Sequence, residues 1–264
     1  MLAAWLVLLV LAVAAVWPGL LASHPPDAVA PADALAGPSW AHPFGTDQLG
    51  RDIYSRAVHG TRLSLSIGLG ATAIAVTAGS LIGVLAAAAG RAVDEVIMRG
   101  TDVLLAFPGL LFALLLVAVL GAGTLNTIIA IGCGAIPAYV RLVRGQALVV
   151  RESGYVRAAV TLGRPRAGIF LRHVLPNSLP PALVVATVDV GTAIIAGSSL
   201  SFLGLGPQPP TPEWGSMIAE GRDTLDTAWG LAVFPGLLVT VTVIAINVVG
   251  GNLRRRFGGD LRSG

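Results

Sequence analysis

Few residues in this chain could carry chemistry alone, and their spacing excludes most reaction types. Cys133 is the single cysteine and lies inside an apolar run, so no internal disulfide can form and the residue reads as a small buried hydrophobe. His24, His42, His59 and His173 are scattered without metal-ligand spacing. All 17 basic residues are arginine. Without a lysine, the Gly-x-x-x-x-Gly-Lys-Ser/Thr loop that cradles nucleotide phosphates cannot be built. Asp189 stands within an apolar block, where a carboxylate costs about 2.5–3.5 kcal/mol on insertion scales and therefore faces protein or water. Helical spacing sets Thr192, Ala196 and Ser199 on its face as a narrow polar stripe. Two readings of that stripe stand side by side: it lines a path for a passing solute, or Asp189 hydrogen-bonds a neighbouring helix. A solitary carboxylate supplies no acid–base pair, which argues against an enzyme working at membrane depth.

The elements that must position these residues follow from composition. Of 264 residues, 55% are hydrophobic and only 12% charged, about half the charge fraction of a soluble domain; the mean hydropathy is +0.80. The charge-free runs 1–23, 63–90, 103–140 and 230–253 all exceed the roughly 18–20 residues that span a bilayer. Hydrocarbon leaves no water for backbone groups, so these runs should be helical. A β-barrel would need segments of about ten residues alternating in polarity, and none occur. The expectation is an all-α polytopic membrane protein with six crossings near 2–22, 63–89, 103–121, 126–142, 183–204 and 229–250. Gly121, Gly123 and Asn126 supply the turn between the third and fourth. The first stretch lacks a basic flank and is longer than a signal-peptide core, so it reads as a retained span.

Six crossings put both termini on one side. Thirteen arginines fall there (91, 99, 141, 144, 151, 157, 164, 166, 172, 254, 255, 256 and 262), against four opposite: 51, 56, 62 and 222. The positive-inside rule places that side, and both termini, in the cytoplasm. The pI near 9.7 thus reflects topology, not a nucleic-acid partner.

Three segments outside the membrane are long. The segment after the first span, 23–60, ends in the motif-like run His42-Pro43-Phe44-Gly45-Thr46-Asp47-Gln48-Leu49-Gly50-Arg51-Asp52. The segment 205–228 carries Pro207, Pro209, Pro210 and Pro212, which forbid a regular helix. The cytoplasmic loop 143–181 is the most informative. Tyr155 to Leu162 reads as a short helix broken by Gly163; Pro165 can start a second, Arg166 to Leu175, ending at Pro176 and Asn177. Ala158 and Ala159 leave a small-residue surface that another protein's groove could approach. Residues alone leave two roles open: a docking knob, or an arginine-rich loop serving topology and anionic lipid.

Arg157-Ala158-Ala159, then Gly163, then His173-Val174-Leu175-Pro176 resembles the EAA loop of ABC-importer permeases, with Arg157 in place of the usual glutamate and His173 in place of isoleucine. Residues 155–177 are similar to the version found in the peptide/nickel branch. Phe44-Gly45-Thr46-Asp47 with Gly50-Arg51-Asp52, Thr61-Arg62-x-Ser64-Leu65, Asp102 to Pro108, Ser201 to Gly206 and Pro209 to Gly215 continue the resemblance in order. The chain thus resembles the C-type permease subunit of dipeptide/oligopeptide/nickel ABC importers. That resemblance implies a type I importer permease fold in a bacterial cytoplasmic membrane, with residues 61–252 as the permease domain and 253–264 as a cytoplasmic tail. It implies a paralogous B-type permease as partner, one or two cytoplasmic ATPase subunits, an extracytoplasmic substrate-binding protein and surrounding lipid. ATP and magnesium would be held by the ATPases, with no cofactor in this chain. Tyr155, Arg157, Ala158, Ala159, Gly163, His173, Leu175 and Pro176 would form the ATPase-coupling loop; Asp189, Thr192 and Ser199 are the candidate translocation path. The implied cargo is di- or oligopeptide, with nickel chelates, glutathione or haem as alternatives. An ion-coupled secondary transporter would be expected to show intramembrane carboxylates and an internal repeat, and no repeat is visible.

Overall fold

The computed structural model describes the backbone of residues 1–258 and the side chains of residues 1–252. The tail arginines counted in the charge bias therefore lie outside the described side chains, and residues 259–264 outside the described chain. Helices α1 (Leu2–Val16), α2 (Ile53–Ala88), α3 (Arg91–Leu105), α4 (Gly109–Leu120) and α5 (Thr124–Arg151) are followed by a short α6 (Gly154–Thr161). After these come α7 (Arg166–Phe202), α8 (Trp214–Gly221) and α9 (Gly230–Gly258).

Helix α2 is the axis of the bundle. Its 36 residues extend about 54 Å, well beyond a hydrocarbon layer of about 30 Å. One end packs Ile53 and Ala57 with Met217 and Leu231, while Ala87 at the other packs with Ala147, Val156 and Ile169. Between them Ile67 and Ala71 share a core with Ala113, Val117, Ala130, Ile131, Ala193 and Leu200. Lipid tails are as apolar as leucine, so such helices associate through close backbone approach over small residues. Gly68 lies against Ile194, where a Cβ would come within 2.5 Å of the Ile194 Cγ1. A Cβ at Gly79 would collide with that of Tyr139.

The helices depart from the expected spans for local reasons. The second starts at Ile53, not 63, because the Asp52 side chain accepts the Ser55 N–H at 2.8 Å as an N-cap. The expected straight span over 103–121 breaks instead at Phe107–Pro108, and α3 and α4 meet at 92°. Proline has no N–H to continue the ladder and forces an extended residue ahead of α4. The fourth continues past 142 to Arg151, because Arg141 and Arg144 pair with Asp102 and Asp94 of α3. The second helix of the loop does not end at Pro176; it runs into the fifth span as one helix, Arg166–Phe202. A π turn over Phe170–Val174 immediately precedes that proline, and Asn177 Nδ2 donates to the His173 carbonyl at 2.6 Å. Such local widening lets a helix absorb a proline. The sixth likewise runs to Gly258.

Among the described residues four helices are long and apolar enough to cross a membrane, and the bent α3–α4 pair is a fifth if it counts as one span. The expected six would require α1, whose 15 residues reach only about 22 Å. Gly121 and Gly123 do form the expected turn, both with positive φ, and Asn126 Nδ2 donates to the carbonyls of Leu120 and Gly121. The proline-rich part of 205–228 is irregular as expected, but α8 forms directly after it, capped by Glu213.

Replacing Gly79 by valine should lower stability by about 1–3 kcal/mol through overpacking between α2 and α5. Gly100→Val, where a Cβ meets nothing within 4 Å, should cost nothing; thermal unfolding in detergent compares the two.

Candidate functional site

Three sites lie along α2, one at each end and one midway. The first is an elbow built by α6 and the start of α7. Val156 and Ala159 point inward, packing with Ala87, Ala147, Ile169 and Val174. This corrects the expected small-residue surface: Ala158 is exposed, whereas Ala159 is only 6% exposed and belongs to the elbow's own core. Gly163 makes the turn with φ +72°, and a Cβ there would meet nothing within 4 Å, so the backbone conformation is what selects glycine. Tyr155 stands edge-on to His173 with centroids 6.2 Å apart. Arg157, in the place usual for glutamate, bonds Glu152 at 2.6 Å. Leu175 is half-buried and Pro176 exposed on α7.

The outward face of the elbow is Tyr155, Arg157, Ala158, Val160, Leu162 and Arg164, with Leu171 beside it. Large apolar side chains among arginines form a surface suited to a protein partner. Helix α3, with five charged residues in its fifteen, braces this end. The Arg144 guanidinium hydrogen-bonds both oxygens of the Asp94 carboxyl.

The second site lies midway along the bundle. Tyr139 Oη on α5 donates to Asp189 Oδ2 on α7 at 2.7 Å. Both residues line a cavity of about 190 Å³ with Thr72, Thr192, Ala193 and Ala196. The two readings of Asp189 are therefore compatible, since it bonds a neighbouring helix and lines a cavity. Ser199 is not brought to that cavity; its hydroxyl donates to the Ile195 carbonyl of its own helix at 2.8 Å. Tyr139 was missed in the sequence because one tyrosine in an apolar run carries no polar periodicity.

The third site, at the other end of α2, was read only as a motif. Asp47 Oδ1 accepts the backbone N–H groups of Leu49 and Arg51, and Oδ2 takes Arg51 Nε at 2.6 Å. Arg56, completely buried, lies 3.6 Å from Asp47 Oδ2 and 3.5 Å from Glu220 Oε2; Arg51 also reaches Glu220 at 3.5 Å. Two carboxylates and two guanidiniums balance. Glu213, also fully buried, accepts from Ser64 Oγ and from the N–H groups of Gly215 and Ser216, each at 3.0 Å. Trp214 Nε1 donates to the Ala57 carbonyl. The segment 23–52 and α8 are thereby locked onto the start of α2. Glu213 and Glu220 lie far from Asp47 in the chain, and no local spacing announces their pairing.

An elbow at one end of a spanning bundle, a largely apolar cavity bearing the Asp189–Tyr139 pair within it and a loop cap at the other end fit a helical membrane permease. Residues 79–262 match the family described as binding-protein-dependent transport system inner membrane component. The chain belongs to that family. Its members are membrane permease subunits of ABC importers, which work with ATPase and substrate-binding subunits. The chain is 44% identical over 234 residues to the probable D,D-dipeptide transport system permease protein DdpC of Escherichia coli, covering 89% of this chain and 78% of that one. It is 43% identical over 227 residues to the glutathione transport system permease protein GsiD of Pectobacterium atrosepticum, covering 86% and 75%. Among solved structures, the MetNI methionine ABC transporter in an inward-facing conformation has a chain of the same fold: TM-score 0.61, 18% identity, 76% of this chain and 95% of that one.

Replacing Asp47 by alanine would strand buried Arg51 and Arg56 and should destabilise the protein by about 3–5 kcal/mol. Asp27→Ala should cost less than about 1 kcal/mol, because Asp27 is 60% exposed and 3.9 Å from Arg56. Chemical denaturation in detergent distinguishes the two.

Proposed function

We propose that this chain is the C-type permease subunit of a di- or oligopeptide importer and pairs with a paralogous permease to enclose the translocation path. The observation that carries this reading is the elbow. Residues 154–174 form a knob that packs Val156, Ala159, Ile169 and Val174 against Ala87 of α2 and Ala147 of α5, turned by Gly163, with an apolar and arginine-bearing face directed away from the bundle. In this reading that face docks in a cytoplasmic ATPase, which binds ATP and magnesium; this chain has no nucleotide site of its own. Tyr155, Arg157, Ala158, Gly163 and His173 bear on the contact, Ala159 supports it from within, and Leu175 and Pro176 carry it into α7. Closure of the ATPases would push the knob as a rigid body, and α7, continuous with it, would tilt. With α1 taken as the sixth crossing, its Met1 beside Asn252 of α9, both termini face the cytoplasm, and the capped segments 23–60 and 205–228 face the binding protein.

In this reading the cavity at Asp189 lies on the path. A carboxylate held by one tyrosine hydroxyl keeps acceptor capacity for the ammonium of a peptide N-terminus. The peptide assignment draws on the identity to a D,D-dipeptide permease. The comparable identity to a glutathione permease supports a second reading, and glutathione too bears a free ammonium.

Two measurements in proteoliposomes containing the assembled importer test these roles. Ala158→Glu and Gly163→Arg should insert and assemble, yet lower ATP-driven uptake about tenfold or more, within the range of a typical coupling energy; undiminished uptake overturns the elbow assignment. Asp189→Asn should slow peptides with a free N-terminus more than their N-acetylated forms, and equal effects on both remove Asp189 from the path.

A further inference from the structure

The four histidines show no ligand spacing along the chain, yet the fold brings two of them to one buried carboxylate. His42 Nδ1 lies 3.0 Å from Asp52 Oδ1, and His24 Nδ1 lies 3.9 Å from Asp52 Oδ2. The two imidazole centroids are 5.0 Å apart. One ligand atom from each of the three residues lies within 4.8 Å of the other two. In a tetrahedral site with bonds of about 2.0–2.2 Å, donor atoms sit about 3.3 Å apart. The His42–Asp52 pair at 3.0 Å already has about that spacing, and the widest separation would have to shrink by up to about 1.5 Å, a movement within reach of side-chain rotation.

Asp52 has an unusual electrostatic position. Its side chain is 1% exposed, and among the described residues its cationic-capable neighbours within 4 Å are these two imidazoles. The nearby guanidiniums, Arg51 and Arg56, are taken by Asp47 and Glu220. A buried carboxylate needs compensation, and here it faces two nitrogen ligands rather than a fixed cation. The three residues are also held from outside. Asp52 Oδ2 accepts the Ser55 N–H at 2.8 Å, the His24 N–H donates to Ser55 Oγ at 3.0 Å, and the His42 N–H donates to Ser39 Oγ at 3.0 Å. The two histidine bonds are donated by backbone N–H groups, so they fix the main chain at His24 and His42 and leave the imidazoles able to turn.

We propose that His24, His42 and Asp52 form a binding site for a divalent transition-metal ion of the zinc class. Two imidazoles and one carboxylate suit zinc or cobalt(II) and are poor ligands for the harder calcium and magnesium. The donors carry a net charge of −1 toward a doubly charged ion. The His24 side chain is 40% exposed, leaving the fourth position to water from the solvent side. The ion would tie together three separate stretches: the chain just after α1, the loop ahead of α2 and the cap of α2. It is independent of the transport reading, because it depends on folding of the loop end alone.

The test uses the assembled importer, purified from membranes with a tag free of histidine and stripped with chelator. Dialysis against zinc should load one more equivalent per chain in the unaltered protein than in His24→Gln or His42→Gln, and affinity should fall about tenfold or more in either variant. Cobalt(II) should give the visible absorption bands of tetrahedral coordination, lost in both variants. Zinc should raise the unfolding midpoint of the unaltered protein alone. Equal zinc content in the unaltered protein and both variants, or no tetrahedral cobalt spectrum in the unaltered protein, overturns the proposal. His24 is partly exposed, so if His42→Gln fails to assemble the His24→Gln comparison decides.

Discussion

Close approach between α2 and its neighbours holds the molecule together. In an apolar solvent, burying leucine against leucine gains little, and association depends on backbones coming near enough for dispersion contacts. Helix α2 meets this with glycine and alanine on the faces turned to α5 and α7; Gly68 receives Ile194 and Gly79 receives the Tyr139 Cβ. This contact also sets the cavity, because the α2–α5 approach that seats Tyr139 brings its hydroxyl to Asp189 of α7. Both ends of α2 then serve as anchors, one for the elbow and one for the loop cap.

Charge is treated differently at the two ends. At the loop end Arg56 and Glu213 are fully buried, and each is compensated by groups from other segments. Removing charges from water is costly unless their partners are fixed, so this arrangement favours a single rigid placement of segment 23–52 and α8. At the elbow end the arginines are mostly exposed, and pairs such as Arg157 with Glu152 lie on the surface. Surface pairs contribute little stability. The outer face of the elbow is thus left exposed while its inner face is held by packing.

The continuity of α7 links the elbow to the interior. Prolines at 176, 180 and 181 suggest a helix boundary when read locally, yet one helix carries the chain from the elbow past Asp189 to Phe202. A push at one end of a continuous helix is transmitted along it, whereas a flexible loop would absorb it.

Much was legible in the chain itself. Apolar runs disclosed the helical membrane class, because transfer free energy is a sum over residues and backbone hydrogen bonds must close within each segment. The glycines at 121, 123 and 163 marked real turns, since the left-handed region is a local property. The residue pattern over 155–177 pointed to the family. What local reading could not supply was the ends and partners of these elements. Helix α2 begins ten residues before its apolar run at a cap supplied by Asp52, and α5 outlasts its own where Arg141 and Arg144 pair with Asp102 and Asp94, groups distant in sequence. Ala158 and Ala159 are chemically identical, yet only the packing of α6 on Ala87 and Ile169 decides which faces out. The Asp189–Tyr139 bond, the Asp47–Arg56–Glu220 cluster and the meeting of His24, His42 and Asp52 were decided by tertiary structure alone. Each depends on distances between segments that no spacing along the chain encodes.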